Sequence, residues 1–164
     1  VGEIGKLTDS LEKAAGAETG FSYGEQGLPQ VNSKVSTYAD EAAVIDVFDQ
    51  VETGIENCPT INWESEGFTY DLTLQPTTDV AGIEVDDQNG FVASGSFTTP
   101  DGQESPIFLH INYLRVGPTV ATVGVTDVQS RAAEQEQYTV IGANRLNAVI
   151  AGEEPPAETG PAIG

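Results

Sequence analysis

From Phe68 to Leu74 apolar and polar side chains alternate: Phe68, Tyr70, Leu72 and Leu74 project to one side, Thr69, Asp71 and Thr73 to the other. A period of two marks a strand with one buried face. Pro76-Thr77-Thr78 breaks the pattern, Ile83 and Val85 predict a short strand, and Asp87-Gln88-Asn89-Gly90 predicts a turn. Residues 91–99 then lead into Pro100-Asp101-Gly102, where proline presets φ and glycine accepts positive φ. Strands over residues 106–115 and 120–126 follow, with Gly117-Pro118 as the turn between them. Consecutive strands joined by tight turns pair antiparallel, so residues 59–127 predict a meander.

Helical spacing flanks this region. Asp40 is an N-cap candidate, and Glu41 falls in the first turn, where the helix dipole favours a carboxylate. Val44, Phe48, Val51 and Ile55 form one apolar stripe, with Asp46, Asp49, Glu52 and Glu56 on the other faces. Cys58-Pro59 ends the helix, because the residue before proline disfavours helical backbone. A closing helix is predicted over residues 130–151, with Tyr138, Gly142, Leu146 and Val149 on a shared face and Gly142 allowing close approach to the sheet. Gly152 and Pro155-Pro156 stop it. Near the start, Ile4, Leu7, Leu11 and Ala14 predict a short helix stopped by Gly16. Residues 17–37, with Gly20, Gly24, Gly27 and Pro29, read as loop with a short strand at 33–37. The fold class is therefore α+β: a single antiparallel meander sheet packed by two or three helices. Residues 1–152 form one domain, and residues 153–164, rich in Gly, Pro, Ala and Glu, form a disordered tail.

Charge narrows the partners. The chain carries 26 Asp and Glu against 6 Lys and Arg, a formal net charge of −20 spread along its length. A field of that sign repels nucleic acid and anionic lipid, and reads first as a solvated, non-sticky surface. No apolar run approaches the roughly 20 residues of a membrane helix. The sequence holds no methionine, which predicts removal of an N-terminal segment such as a signal peptide. Cys58 is the only cysteine, so no intramolecular disulfide is possible, and its position at a helix end predicts a small buried hydrophobe.

Candidate chemistry is sparse. His110 lies mid-strand with Phe108, Asn112 and Leu114 on its face, and no partner in sequence marks it as a general base. Asp86-Asp87-Gln88-Asn89-Gly90 suggests a calcium loop, but aligning Gly90 puts Val85 and Ser96 at the first and last ligand positions. A polar hairpin turn fits better. Glu64 and Glu66 beside Trp63 suggest paired carboxylates of a sugar-cleaving site, yet two residues apart on a strand they form a wet face. Trp63, Phe68, Tyr70, Phe97, Phe108 and Tyr113 supply core bulk or line a cleft between sheet and helices. No phosphate-binding glycine loop, nucleophile elbow or metal cluster is present in the sequence, so no cofactor, metal or catalytic residue is assigned, and no ligand-binding residue can be named.

Three stretches carry a family likeness: residues 48–58 from Phe48 to Cys58, residues 115–123 opening on Arg115-Val116-Gly117, and residues 143–148 containing Arg145-Leu146. In this the chain resembles the extracellular sensor domains of PknH-type bacterial serine/threonine kinases and related actinobacterial lipoproteins. In that family an apolar helix ends in a cysteine, a strand opens with Arg-x-Gly and a closing helix carries Arg-Leu. The chain departs from it in holding one cysteine where members hold disulfides. The resemblance implies an exported α+β domain with a cleft and no enzymatic activity. The resulting expectation is a non-catalytic, extracytoplasmic ligand-binding or sensor-like domain, the soluble part of a lipoprotein. It would bind a small-molecule or lipid ligand and touch the membrane only through a removed N-terminal anchor. The alternative is an envelope carrier of a lipid or other apolar compound, and a hydrolase using Glu64, Glu66 or His110 ranks last.

Overall fold

A computed structural model describes residues 11–22, 28–157 and 159–161. It is a single seven-stranded antiparallel sheet with two helices among the described residues. The strands are β1 (Lys13–Ser22), β2 (Gln30–Tyr38), β3 (Thr60–Ser65), β4 (Phe68–Pro76), β5 (Asp87–Thr98), β6 (Glu104–Val116) and β7 (Thr119–Asp127). The helices are α1 (Glu41–Asn57) and α2 (Ala132–Ile150). Across the sheet the order is β1-β2-β7-β6-β5-β4-β3. The last five strands form a meander, of which β4 to β7 are strands that the alternation predicts. The β1–β2 hairpin adds to its β7 edge, and α1 carries the chain diagonally from β2 to the opposite edge at β3.

The helices lie on opposite faces, and the register gives the reason. Ala121 pairs with Leu114 and with Val35, and Val120 with Arg115 and Ser36, so odd and even residues of β7 open onto different layers. Beneath α1 sit Leu72, Leu74, Phe91, Ala93, Ile107 and Val120. Beneath α2 sit Leu114, Ala121, Val123 and Val125. β7 turns Ala121, Val123 and Val125 toward α2, while on its other face Val120 packs into the α1 layer beside Thr122, Gly124 and Thr126.

The α1 sequence folds as its stripe requires. The Asp40 carboxylate accepts from the backbone N–H groups of Ala42 and Ala43 at 2.9 and 3.3 Å, a working N-cap. Val44, Val47, Phe48, Val51 and Ile55 are buried, each worth about 1.5–3 kcal/mol of apolar transfer when fully covered. Asn89 from β5 donates to the Phe48 carbonyl at 3.1 Å and pins the helix to the sheet. Arg115, largely buried, reaches Glu41 and Asp86 at 3.9 and 3.6 Å, linking β6 to the first turn of α1 and to the β4–β5 connection.

Several expectations are corrected. Lys13–Ser22 is a strand where Ala14 predicts helix and residues 17–22 predict loop, while Ile4 and Leu7 lie outside the described residues. β2 runs over Gln30–Tyr38, longer than the strand predicted at 33–37. Ile83 and Val85 form no strand; they pack as a loop onto the α2 layer. Asp87–Gly90 is the start of β5, paired with Arg115–Asn112, not a turn. Cys58 is exposed, not buried. β3, to which the sequence pattern gives no bounds, ends before Glu66 and pairs with β4 through a two-residue loop in which Glu66 (φ 52) and Gly67 (φ 83) both take positive φ. That is the geometry whose twist matches a tight hairpin.

Candidate apolar groove between α2 and the β1–β2 hairpin

The buried face of α2 is not the one that its apolar spacing predicts. Gln135, Thr139, Ala143 and Leu146 point into the sheet. Gln135 Nε2 donates to the Val123 carbonyl at 2.8 Å, and the Thr139 hydroxyl donates to the Gln135 carbonyl at 2.8 Å, so the donors of these buried polar groups are met, while Gln135 Oε1 has no partner among the described residues. Tyr138 and Gly142 are only half-buried, and Val149 is 59% exposed. Of the predicted face only Leu146 is buried in the core. Gly142 lies so close to β7 that a Cβ there would come within 2.8 Å of Val123 Cγ2, which bears out its role in close approach.

The displaced apolar stripe borders a groove. β1 and β2 extend past the edge of α2, so the inward face of the hairpin is a floor with a helix along one side. Ala15, Ala17, Thr19 and Phe21 of β1 alternate onto that floor, followed by Val31, Ser33, Val35 and Thr37 of β2 and Ala121 and Val123 of β7. Tyr138, Ile141, Gly142, Arg145, Leu146 and Val149 line the helix side. The groove is open to solvent along one side, has a volume of about 950 Å³ and is mostly apolar. Gly160 and Pro161 close part of it: the Tyr138 hydroxyl donates to the Pro161 carbonyl at 2.9 Å, and Gly160 packs on the Tyr138 ring with no room for a Cβ. Phe21, 58% exposed, leaves a large apolar ring on the open side.

The residues singled out for chemistry are not brought together. His110 and Trp63 lie on opposite faces of the sheet, since His110 pairs with Val125 on the α2 layer and Trp63 with Tyr70 on the α1 layer. His110 is buried, and its Nε2 accepts the Arg131 backbone N–H at 3.2 Å with the Ser130 hydroxyl also at 3.2 Å. Burial lowers its pKa below 6.5, partly opposed by the charge of Glu134, so the imidazole is neutral with Nε2 engaged. The space beside it, about 240 Å³, is bordered by Thr77, Asp79, Asn112 and Glu136. Glu64 alternates to the face opposite Trp63, and Glu66 sits in the β3–β4 loop. Asp86 accepts the Gly117 N–H at 2.7 Å besides facing Arg115. Gln88 brackets the Val80 backbone at 3.0 and 3.2 Å. The polar run from Asp86 to Asn89 therefore holds loops and a helix in place. Among the described residues no three His, Cys, Asp or Glu side chains gather as metal ligands.

Of the six aromatics, Trp63, Phe68, Tyr70 and Phe97 form a row on the α1 layer. Trp63 and Tyr70 stack at 4.5 Å, Tyr70 and Phe97 lie 6.2 Å apart, and Phe68 and Phe97 6.4 Å. Tyr113 packs on Phe91 under α1. None of the six lines the groove. Fold and site together define an α+β domain with helices on both faces of one antiparallel sheet and an open apolar groove beside the second helix. No family model and no curated protein matches this chain. Among solved structures it is similar to a Pseudomonas aeruginosa protein of unknown function, at 12% identity and a TM-score of 0.33 over 92% of this chain and 89% of that chain. A likeness that loose carries no argument about function.

Proposed function

We propose that this chain is a non-catalytic ligand-binding domain whose site is the groove between α2 and the β1–β2 hairpin, and whose ligand is apolar. The observation that supports it is the groove itself: about 950 Å³ lined mainly by Ala, Val, Ile, Leu, Phe and Tyr side chains. Sites for small molecules run to roughly 300–1,000 Å³ and are lined by such residues. Between the two binding roles expected from the sequence, this favours a carrier or sensor of an apolar compound over a sensor of a polar one. Export to the cell envelope and kinship with kinase-linked sensor domains belong to the same proposal, supported by the acidic surface and the sequence likeness.

The test is direct binding of a neutral fluorescent dodecyl probe, with Ala17→Trp as the groove-filling variant. Ala17 is exposed on β1, so a tryptophan there occupies the floor without entering the core. Saturable binding to the native chain is expected, competed by dodecanol and weakened at least about tenfold by Ala17→Trp at unchanged melting temperature. Absence of saturable binding, or indifference to the substitution, would remove the proposal.

A further inference from the structure

The groove differs in charge from the rest of the molecule. The chain has 26 Asp and Glu and 6 Lys and Arg, yet among the described residues no acidic one lines the groove and the one charged residue that does is Arg145. Ile141, Arg145 and Val149 lie four residues apart along α2, so the guanidinium stands in line with the apolar side chains and not on the opposite face. Arg145 is exposed, at the rim where floor and helix meet water. An arginine fork matches a carboxylate or phosphate in plane and can bind it through two N–H groups.

Resting on the reading of the groove as a ligand site, we infer that its ligand is an amphiphile with an anionic head, a carboxylate or a phosphate monoester. The chain lies along Ala17, Val35 and Val123, and the head stays at the rim beside Arg145. Arg145 also engages within the protein. Its five N–H donors serve more than one acceptor, so the head joins or exchanges with that contact. The same arrangement disfavours a cationic amphiphile, which would set like charges side by side.

The experiment displaces the neutral dodecyl probe with dodecanoate, dodecyl phosphate and dodecanol, at about pH 8 and below their micellar concentrations. It uses the native chain, Arg145→Gln and Arg145→Lys. The native chain should prefer at least one anionic ligand to dodecanol by about fivefold, the scale of one exposed charge-assisted contact. Arg145→Gln should abolish that preference, read as the ratio of anionic to dodecanol affinity within each protein, and Arg145→Lys should keep part of it. Preference for dodecanoate would point to free fatty acids, and for dodecyl phosphate to phosphomonoester lipids. Equal binding of all three by the native chain, or a preference that survives Arg145→Gln, overturns the inference and leaves the groove reading standing. No binding by any of the three overturns both.

Discussion

Tyr113 tests the packing of the sheet against α1. It projects from β6 toward that helix, 6.3 Å from Phe91 between ring centroids and in contact with both apolar clusters on that face. Burial raises its phenol pKa from 10.0 to about 12. The fold therefore favours the protonated phenol: the stabilisation is complete below pH 10, where both states are protonated, and is lost as pH rises from 10 toward 12. A gap of about two units, at about 1.4 kcal/mol each, makes the full alkaline loss about 2–3 kcal/mol. Tyr113→Phe removes the ionisation and keeps the ring. Its unfolding free energy at pH 8 should stay within about 1 kcal/mol of the native value. Urea titrations followed by circular dichroism at pH 8 and pH 11.5 measure the drop in each protein. The native drop should exceed that of Tyr113→Phe by about 2 kcal/mol, with Tyr70→Phe as the control for a generic tyrosine effect. Equal drops in native and Tyr113→Phe proteins would refute the argument that this phenol is ordered in a dry layer.

Other outcomes follow from the same structure. Arg131 Nε donates to the buried Asp127 carboxylate at 2.6 Å, so Arg131→Met strands a buried charge and should cost about 3 kcal/mol in urea unfolding, with Asp127→Asn added to it recovering much of the loss. An unaffected Arg131→Met protein would mean that Asp127 is solvated. Glu66 holds positive φ in the β3–β4 loop, so Glu66→Asn should raise the melting temperature by about 1–3 °C, and any fall in a thermal scan contradicts the turn geometry. The lowered pKa of His110 makes its neutral form the native one; stability is then full above pH 6.5 and falls as pH drops below it, and His110→Gln should flatten that fall between pH 7 and pH 5 in urea midpoints. With a net charge of −20, the native melting temperature should rise between dilute buffer and molar sodium chloride, and a flat response would mean that the carboxylates do not repel one another appreciably.

The meander was legible because β4 to β7 each bury side chains against a helix, and burial is what imposes a period of two. β1 escapes that logic. Its Lys13-Ala14-Ala15-Gly16-Ala17 run contains no β-branched residue, and alanine at those positions suits a helix better. It is a strand because its backbone pairs with β2 from Lys13 to Ser22, and it lies at the sheet edge with every residue exposed. β3 is similar: Thr60-Ile61-Asn62-Trp63 is an edge segment, and the signal that reveals it is the Glu66-Gly67 loop between two strand-like runs. Asp87-Gln88-Asn89-Gly90 misleads for the opposite reason. Its polar side chains look like a solvated turn, yet Gln88 and Asn89 are anchored to the Val80 and Phe48 backbones, and the second of these contacts spans 41 residues, more than any local window contains.

The site was half-visible, in α2. The stripe Tyr138, Gly142, Leu146 and Val149 is present in the sequence as a face, and a face of that kind is ordinarily assigned to the core. The sheet instead takes Gln135, Thr139, Ala143 and Leu146, because Gln135 answers the Val123 carbonyl and Thr139 answers the helix backbone, so two polar residues can lie in the interior. The apolar stripe is left turned by about one residue from the buried one, toward a hairpin whose floor of Ala15, Ala17 and Thr19 is too small-sided to fill the space. A helix stripe that burial does not use is an exposed apolar surface, and a contiguous one is where a binding role is expected. The disagreement between periodicity and burial on α2 is therefore what locates the groove: had the predicted stripe faced the core, Tyr138 and Val149 would lie beneath the helix and the hairpin would have no apolar wall beside it.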